Sequence, residues 1–252
     1  MKTSLLLIFL YCLSIISPAF AQHEADNWYF GRYAGISFKN GTPIALNDGQ
    51  INTVEGCATF SNKVTGELLF YTDGVTVWNA GHQVIKNGTG LKGGGSSTQN
   101  ALIIPNPSNN LEFYIFTVSE VESKECKLFY SLINFTSLGG EVISKNNFLI
   151  DSVSEKLTGA LDCSGKGFWV LTHHKARSKF YSFHVTAKGV EKIPVISVFP
   201  SEIKDFRAGY MKISPDNSKI ALVETTFNIG SPSDLVLFDF NAYSGKVLNN
   251  RI

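Results

Sequence analysis

Three histidines that lie close together in the sequence have side chains that can bind a metal ion. His173 and His174 are adjacent, and His184 lies in the next apolar run. These runs predict β-strands, and adjacent side chains of a strand point to opposite faces of its sheet. His173 and His174 are therefore not expected to bind one ion together, and His184 alone does not complete a zinc site. The sequence predicts no bound metal and no cofactor.

Two glycine-containing segments look like functional loops but are predicted to be structural. Asp73-Gly74 lies between two aromatic runs, which is typical of a type I′ hairpin turn. The Gly93–Gly95 triplet lacks both the Lys-Ser/Thr pair and the helix of a phosphate-binding loop. It predicts a flexible loop that leads into a strand. The motifs of serine hydrolases, zinc proteases and calcium loops do not occur in the sequence.

The cysteines also favour a structural role. Cys57, Cys126 and Cys163 remain after removal of the N-terminal segment that contains Cys12, and none has C-x-x-C spacing. Two of the three could form a disulfide after export, which would leave one over. Cys57 and Cys163 lie in apolar strand patterns, where cysteine commonly packs as a small buried hydrophobe.

Short runs of β-branched and aromatic residues repeat along the chain. No window of ten or more residues has the apolar spacing of a helix. Strong runs begin at Leu68, Phe113, Phe168 and Lys219, at intervals of 45, 55 and 51 residues. One run precedes each of these, over residues 56–61, 100–105, 157–163 and 209–214, and two more follow. The pattern predicts a repeated unit of four antiparallel strands.

A repeat of this length is typical of the blades of a β-propeller. Continuous apolar runs fit a propeller because neighbouring blades cover the central strands on both faces, and a β-sandwich would not need this self-similarity. The sequence predicts an all-β propeller domain over residues 22–252. It has about four blades and an N-terminal part-blade from Trp28 to Leu46.

The number of predicted blades is at the lower end of the four to eight or so that close a ring. An unclosed ring would expose strand edges and blade faces. We therefore expect an incomplete ring, truncated at its C-terminus and completed by further blades of a longer chain. A small ring or a dimer that closes itself is the alternative.

Polar residues at the start of the innermost strands are the candidate ligand-binding residues. In a propeller they would surround the mouth of the central channel, although polar residues there are often only solvated. The candidates are Glu55, Gln99, Thr158 and Arg207.

An enzyme that uses the same channel mouth, of the lyase or glycosidase type, is the alternative. Such a site would need carboxylates, or a group of Tyr, His and Arg, that converge at one rim. The available residues are Glu55, Asp162, Arg207 and Tyr210.

The first 21 residues predict export. Lys2, the apolar run from Leu5 to Ile16, and the Ala19-Phe20-Ala21 pattern match a cleavable signal peptide, with Gln22 as the first mature residue. No later segment approaches the ~20 apolar residues of a spanning helix, so no membrane insertion is expected after cleavage. The mature chain has 21 basic and 21 acidic residues. A neutral chain without a basic block argues against nucleic acid as a partner.

A longer set of motifs resembles one group of secreted proteins. The motifs cover residues 27–31, 34–38, 55–59, 68–79, 87–91 and 96–99. In this order they are similar to the N-terminal propeller region of large secreted Bacteroidetes proteins. Those proteins carry PKD-like modules and a C-terminal gliding-motility-associated sorting domain (type IX secretion, type B). The turn from Ser214 to Lys219 also resembles the Ser-Pro-Asp-Gly turn of WD40-like and TolB-like propellers, with Asn217 in place of Gly.

The resemblance covers residues 22–252 and implies a secreted or cell-surface protein without a defined reaction. The 252 residues depart from the pattern because they contain no PKD-like module and no sorting domain. We expect a non-enzymatic propeller that binds a protein or a glycan, or that acts as a spacer in a larger surface protein. The periplasm is the alternative location.

Identification of the first residue of the exported protein tests the signal-peptide prediction. We expect mass spectrometry of the native protein to find Gln22 as its first residue. The variant A19L/A21L lacks the small residues that signal peptidase accepts, so it should stay uncleaved. A native protein that still begins at Met1 would contradict the prediction.

Overall fold

The computed structural model describes residues 23–120, 122–123, 126–136, 139–176, 178–199, 208–223 and 235–251. These residues form 19 β-strands in five antiparallel sheets and contain no helix, which confirms the predicted all-β class. No helix suited to cross a bilayer therefore occurs in these ranges. The predicted signal peptide and Arg207 lie outside the described residues.

The first two sheets have three strands each. Both are meanders, in which strands that are consecutive in sequence pair with each other. Sheet 1 contains β1 (Asn27–Phe30), β2 (Ala34–Ser37) and β3 (Ile44–Leu46). Sheet 2 contains β4 (Ala58–Ser61), β5 (Leu68–Thr72) and β6 (Val77–Asn79).

The other three sheets are larger. Sheet 3 contains β7 (Ala101–Asn106), β8 (Asn109–Val118), β9 (Leu128–Asn134) and β10 (Glu141–Ile150). Sheet 4 contains β11 (Val153–Leu161), β12 (Phe168–His174), β13 (Lys179–Thr186), β14 (Gly189–Val190) and β15 (Val195–Val198). Sheet 5 contains β16 (Met211–Ile213), β17 (Lys219–Val223), β18 (Leu235–Asn241) and β19 (Lys246–Arg251).

The four strong runs of the sequence form the second strands β5, β8, β12 and β17. Sheets 3 and 5 have the predicted four strands, whereas sheet 2 has three and sheet 4 has five. In sheet 2 the chain turns back after Asn79, whose Oδ1 accepts hydrogen bonds from the backbone N–H groups of Gly81 and Gln83. Only an isolated bridge, Trp78 with Val84, continues the pairing there. No closed ring of sheets is found among the described residues.

The turn at Asp73-Gly74 is longer than predicted. Thr72 pairs with Val77, so four residues rather than two connect β5 to β6. Oδ1 of Asp73 accepts hydrogen bonds from the backbone N–H groups of Val75 (2.9 Å) and Thr76 (2.7 Å). The type I′ prediction is wrong because the Asp73 carboxylate organises a wider turn of its own.

The glycine triplet at residues 93–95 is part of a close-packed segment. A Cβ on Gly93 would lie 2.5 Å from the carbonyl oxygen of Gly74, and a Cβ on Gly94 would lie 2.4 Å from the backbone nitrogen of Glu120. The segment leads into β7, as predicted. It packs against the backbones of sheets 2 and 3 instead of forming the flexible loop that its composition indicated.

Central strands are buried on both faces. Phe70 of β5 packs between sheets 2 and 3, while the adjacent Tyr71 packs between sheets 1 and 2. Val170 of β12 faces sheet 3, and the adjacent Leu171 faces sheet 5. All four side chains are fully buried. This two-sided burial explains why the central strands read as continuous apolar runs rather than as alternating patterns.

Each sheet packs on the next one in chain order, through four apolar cores. The outer faces of sheets 1 and 5, at the two ends of the stack, carry exposed apolar residues. Trp28 and Phe30 of sheet 1 are 51% and 41% exposed, and Leu235 and Leu237 of sheet 5 are 58% and 44% exposed.

A polar network joins sheets 1 and 2 beside their core. The hydroxyl of Tyr29 donates to Oδ1 of Asp48 at 2.9 Å. The ring of His82 lies between Oδ2 of Asp48 (3.2 Å) and the hydroxyl of Tyr71 (3.1 Å). Burial raises the pKa of Asp48, but the hydrogen bond from Tyr29 and the contacts with His82 outweigh it and hold this pKa below its usual value.

His173 is a buried titratable group in the core between sheets 4 and 5. Its ring packs edge-on against Phe180, with 4.6 Å between the ring centroids. Burial, followed by the positive charge of Lys156, holds the pKa of His173 well below its ordinary value. The unfolded chain therefore binds a proton near pH 6.5 that the folded protein does not bind. Stability from this group is complete above pH 6.5 and is lost as the pH falls below it.

Replacing His173 by Gln, which does not titrate, should make the folding stability less sensitive to acid. Between pH 7.5 and 5.5, His173→Gln should lose on the order of 1 kcal/mol less unfolding free energy than the wild type. Urea unfolding at each pH measures this difference. His174→Gln, on the opposite face of β12, is the matched control. Equal pH dependence of His173→Gln and the wild type would contradict the prediction.

Candidate functional site

The first strands of sheets 2 to 5 are β4, β7, β11 and β16, and the segments that lead into them converge. The backbone N–H of Gly56, before β4, donates to the carbonyl oxygen of Ser97, before β7, at 3.1 Å. Nζ of Lys156 in β11 donates to the carbonyl oxygen of Ala208, before β16. We call this region the upper end. At the lower end, the first strands turn into the second strands.

Gln99 is the hydrogen-bonding centre of the upper end and is only 7% exposed. Its Oε1 accepts hydrogen bonds from the backbone N–H groups of Met211 (2.7 Å) and Leu157 (3.4 Å). Its Nε2 donates to the carbonyl oxygen of Met211 at 3.1 Å. One amide side chain therefore joins sheet 3 to both sheet 4 and sheet 5.

Glu155 forms a second hydrogen-bonded link between sheets at the upper end and is 1% exposed. Its Oε2 accepts hydrogen bonds from the backbone N–H (2.9 Å) and the hydroxyl (2.8 Å) of Thr98. Hydrogen bonds to an ionised carboxylate are among the stronger ones in proteins. Glu155 thus links β11 to the segment that leads into β7.

The sequence prediction missed Glu155 because it began this strand at Leu157. The strand β11 begins at Val153, and its pairing with β12 shifts register between Val153 and Leu157. Glu155 and Lys156 are both buried in this irregular stretch. A polar pair directly before an apolar run was the available signal, and it does not distinguish a buried tie from a solvated loop.

Glu55 lies on the exposed rim of the upper end. Partial burial raises the pKa of its carboxyl group, and the negative charges of Glu155 and Glu122 raise it further, against a hydrogen bond with Thr98. Glu55 is therefore a solvent-facing hydrogen-bond acceptor in a negative field.

Other polar groups share this rim. The hydroxyl of Ser96 lies 3.2 Å from a carboxylate oxygen of Glu120 and 3.2 Å from one of Glu122. Tyr210 is 48% exposed, and partial burial, followed by the nearby thiol of Cys57, raises the pKa of its phenol. The rim thus offers carboxylates and a phenol to solvent.

The four residues predicted to bind a ligand have different environments. Glu55 is exposed on the rim, and Gln99 is a buried tie. Thr158 is 5% exposed and pairs with Leu171 inside sheet 4, one residue beyond Leu157. Arg207 lies outside the described residues. The structure brings Glu55 and Gln99 to one end of the molecule, and ligand binding there stays a prediction.

Asp162 lies at the lower end, directly after β11. Its Oδ1 accepts hydrogen bonds from the backbone N–H (3.0 Å) and the hydroxyl (2.7 Å) of Ser164, and its Oδ2 lies 3.2 Å from Nε2 of His184. Burial raises the pKa of Asp162, but these hydrogen bonds outweigh it and hold the pKa at about 2. Five residues of extended chain, about 16 Å, separate Asp162 from Leu157 at the upper end.

The three histidines lie in separate environments. His173 is buried, whereas His174 is half-buried and its Nδ1 accepts a hydrogen bond from the backbone N–H of Ala176. His184 stacks on Trp169, with 4.2 Å between the ring centroids. The described residues hold no group of three or more His, Cys, Asp or Glu side chains arranged for a metal ion.

The cysteines also differ from one another. Cys57, Cys126 and Cys163 form no disulfide within the described residues, and Cys126 is buried. Burial raises the pKa of Cys57 to about 11. Cys163 is exposed, so its predicted role as a buried hydrophobe is wrong. The reason is that β11 ends at Leu161, which leaves Cys163 in the following turn.

Comparison with known proteins finds distant structural likeness only. No protein-family model and no curated protein sequence matches the chain. One similar solved structure is a triple arginine-to-alanine mutant of AofleA from Arthrobotrys oligospora, with a TM-score of 0.42 and 10% sequence identity, over 87% of this chain and 66% of that one. Another is the tricorn protease, with a TM-score of 0.28 and 12% identity, over 88% of this chain and 25% of that one. The chain thus spans less than two thirds of the length of either protein.

Gln99 should contribute strongly to stability. The change Gln99→Ala removes the partners of three buried backbone groups, and each unsatisfied group costs about 1 to 3 kcal/mol. Allowing for relaxation, we expect Gln99→Ala to lower the unfolding free energy by about 2 to 4 kcal/mol in urea titrations.

Gln83→Ala is the matched control, because Gln83 is exposed and its amide makes one long hydrogen bond. It should change the unfolding free energy by less than about 0.5 kcal/mol. If Gln99→Ala destabilised no more than Gln83→Ala, the role of Gln99 as a tie between sheets would be wrong.

Proposed function

We propose that the chain is an exported, non-enzymatic β-propeller module that binds a protein or a glycan, or that acts as a spacer in a larger surface protein. In this proposal sheets 2 to 5 are four blades and sheet 1 is a part-blade. Support comes from the stacking of consecutive sheets through shared cores and from the convergence of the first strands at the upper end. The signal-peptide pattern of residues 1–21 supports export.

One observation favours a binding role over the enzymatic alternative. Among the predicted catalytic residues that the structure describes, Asp162 does not share a cleft with Glu55 and Tyr210, because Glu55 and Tyr210 lie at the upper end whereas Asp162 follows β11 at the lower end. Catalysis by two carboxylates needs both groups within reach of one bond. The buried polar groups of the upper end, Gln99 and Glu155, are occupied in joining the sheets.

We propose that a ligand at the upper end contacts the rim. Glu55 is exposed there, and its carboxylate can accept hydrogen bonds from the hydroxyl groups of a glycan or from the N–H groups of a protein. Gln99 and Thr158 are buried, so we assign them to support of this rim rather than to direct contact.

Binding and turnover can be measured in the same mixtures. We expect residues 22–252 to bind at least one member of a glycan and peptide array, and mass spectrometry to recover that ligand unchanged. Glu55→Gln should weaken the binding about tenfold in calorimetry, because it removes a charged acceptor. Glu67→Gln, an exposed carboxylate before β5 at the lower end, should leave the binding unchanged.

Product formation that is lost in Glu55→Gln or Tyr210→Phe would overturn the proposal in favour of an enzyme. Equal weakening by Glu55→Gln and Glu67→Gln would show that the upper rim is not the contact surface.

A further inference from the structure

A cavity of about 880 Å³ lies at the lower end, away from Glu55 and Gln99. Its walls come from turns of three sheets. They are Lys63 after β4, residues 105–110 around the turn from β7 to β8, residues 162 and 164–168 between β11 and β12, and residues 186–187 at the turn from β13 to β14. This volume is within the range of pockets that bind small molecules.

Side-chain hydrogen bonds hold the walls in place. Oδ1 of Asn106 accepts hydrogen bonds from the backbone N–H and the hydroxyl of Ser108, both at 3.0 Å, and its Nδ2 donates to Glu112 at 2.7 Å. Asp162 holds the opposite turn through Ser164. A ligand would therefore meet preformed turns, which lowers the entropy cost of binding.

The exposed charged side chains of the cavity wall are positive. Lys63 and Lys166 line it, and both are exposed. Neither ammonium group forms an ion pair with a carboxylate of the described residues. The carboxylate of Asp162, which also lines the cavity, already bonds Ser164 and His184.

The neutral groups of the cavity suit a sugar. Asn110 is exposed, and its side-chain amide makes no hydrogen bond within the described residues, so it can bond ligand hydroxyls. Phe168 lines the wall, is half-buried, and also packs against the core between sheets 3 and 4. Its apolar surface can pack against the C–H face of a sugar ring.

An extended peptide fits this cavity less well. Peptides commonly bind by adding a strand to an open sheet edge. Here the walls are hairpin turns, and the strands that flank them are paired, β7 with β8 and β11 with β12.

We propose that the lower-end cavity between the turns of sheets 2, 3 and 4 binds an acidic oligosaccharide. Lys63 and Lys166 neutralise its acidic groups, Asn110 bonds its hydroxyls, and Phe168 packs against a ring face. This site is separate from the upper rim of the proposed function and does not depend on that rim.

Calorimetry of residues 22–252 tests the proposal with mono- to trisaccharides that carry uronic acid, sialic acid or sulfate. Each probe is paired with its neutral counterpart, such as the methyl ester of a uronic acid. We expect at least one acidic probe to bind, with an affinity that falls as salt rises. Its neutral counterpart should bind at least tenfold more weakly.

Variants then locate the site. Lys63→Gln and Lys166→Gln should each weaken the binding about fivefold, and the double variant about twentyfold, as expected for exposed charge pairs. Lys246→Gln, an exposed lysine of sheet 5, is the matched control and should have no effect. Glu55→Gln should also have no effect, which separates this site from the upper rim.

Four outcomes would overturn the proposal. They are no binding by any acidic probe, equal binding of the neutral counterparts, equal weakening by Lys246→Gln, and equal affinity for an acidic peptide such as hexaglutamate. Because the lysines are exposed, thermal unfolding of all variants should match the wild type, so that a loss of binding is not a loss of folding.

Discussion

The central strands of sheets 2, 3 and 4 send neighbouring side chains into two different cores. Phe70 and Tyr71 are adjacent in β5, yet they fill separate interfaces because successive side chains of a strand point to opposite faces. Sheets 2, 3 and 4 therefore cannot complete their own burial without the sheets before and after them. The fold is thus a stack whose members depend on their neighbours.

The stacking of sheets also imposes a hydrogen-bonding constraint at the places where their first strands begin. Backbone groups there need hydrogen-bond partners, yet apolar cores surround them. Buried polar side chains supply these partners. Gln99 accepts hydrogen bonds from the backbone N–H groups of Leu157 and Met211, and Glu155 accepts one from that of Thr98. The upper end is therefore tied together by side chains.

The central strands could be predicted because their aromatic and β-branched runs follow from two-sided burial. The number of outer strands in each sheet could not be predicted, since their residues face solvent and carry less pattern. Sheet 2 stops at three strands because of the Asn79 turn, and sheet 4 adds a second short strand on β13. The type I′ prediction for the Asp73-Gly74 turn was wrong because the Asp73 carboxylate stabilises a longer connection.

The candidate sites were predictable only in part. Glu55 was found because it is polar at the start of a repeated apolar run, and the structure places it on an exposed rim. Glu155 was not found, since its burial depends on a register shift that only pairing with β12 reveals. Lys63 and Lys166 are far apart in sequence, and they line one cavity because sheets 2 and 4 both pack on sheet 3. No local pattern joins such residues.

The chain has three tryptophans, and each lies in a different sheet, so tryptophan fluorescence can report on three separate sheets. Trp28 of sheet 1 is half-exposed, Trp78 of sheet 2 stacks on Tyr71, and Trp169 of sheet 4 stacks on the ring of His184. The fluorescence of Trp169 therefore reports its stacking contact with His184 inside the molecule, while that of Trp28 follows the solvent at the far side of the stack.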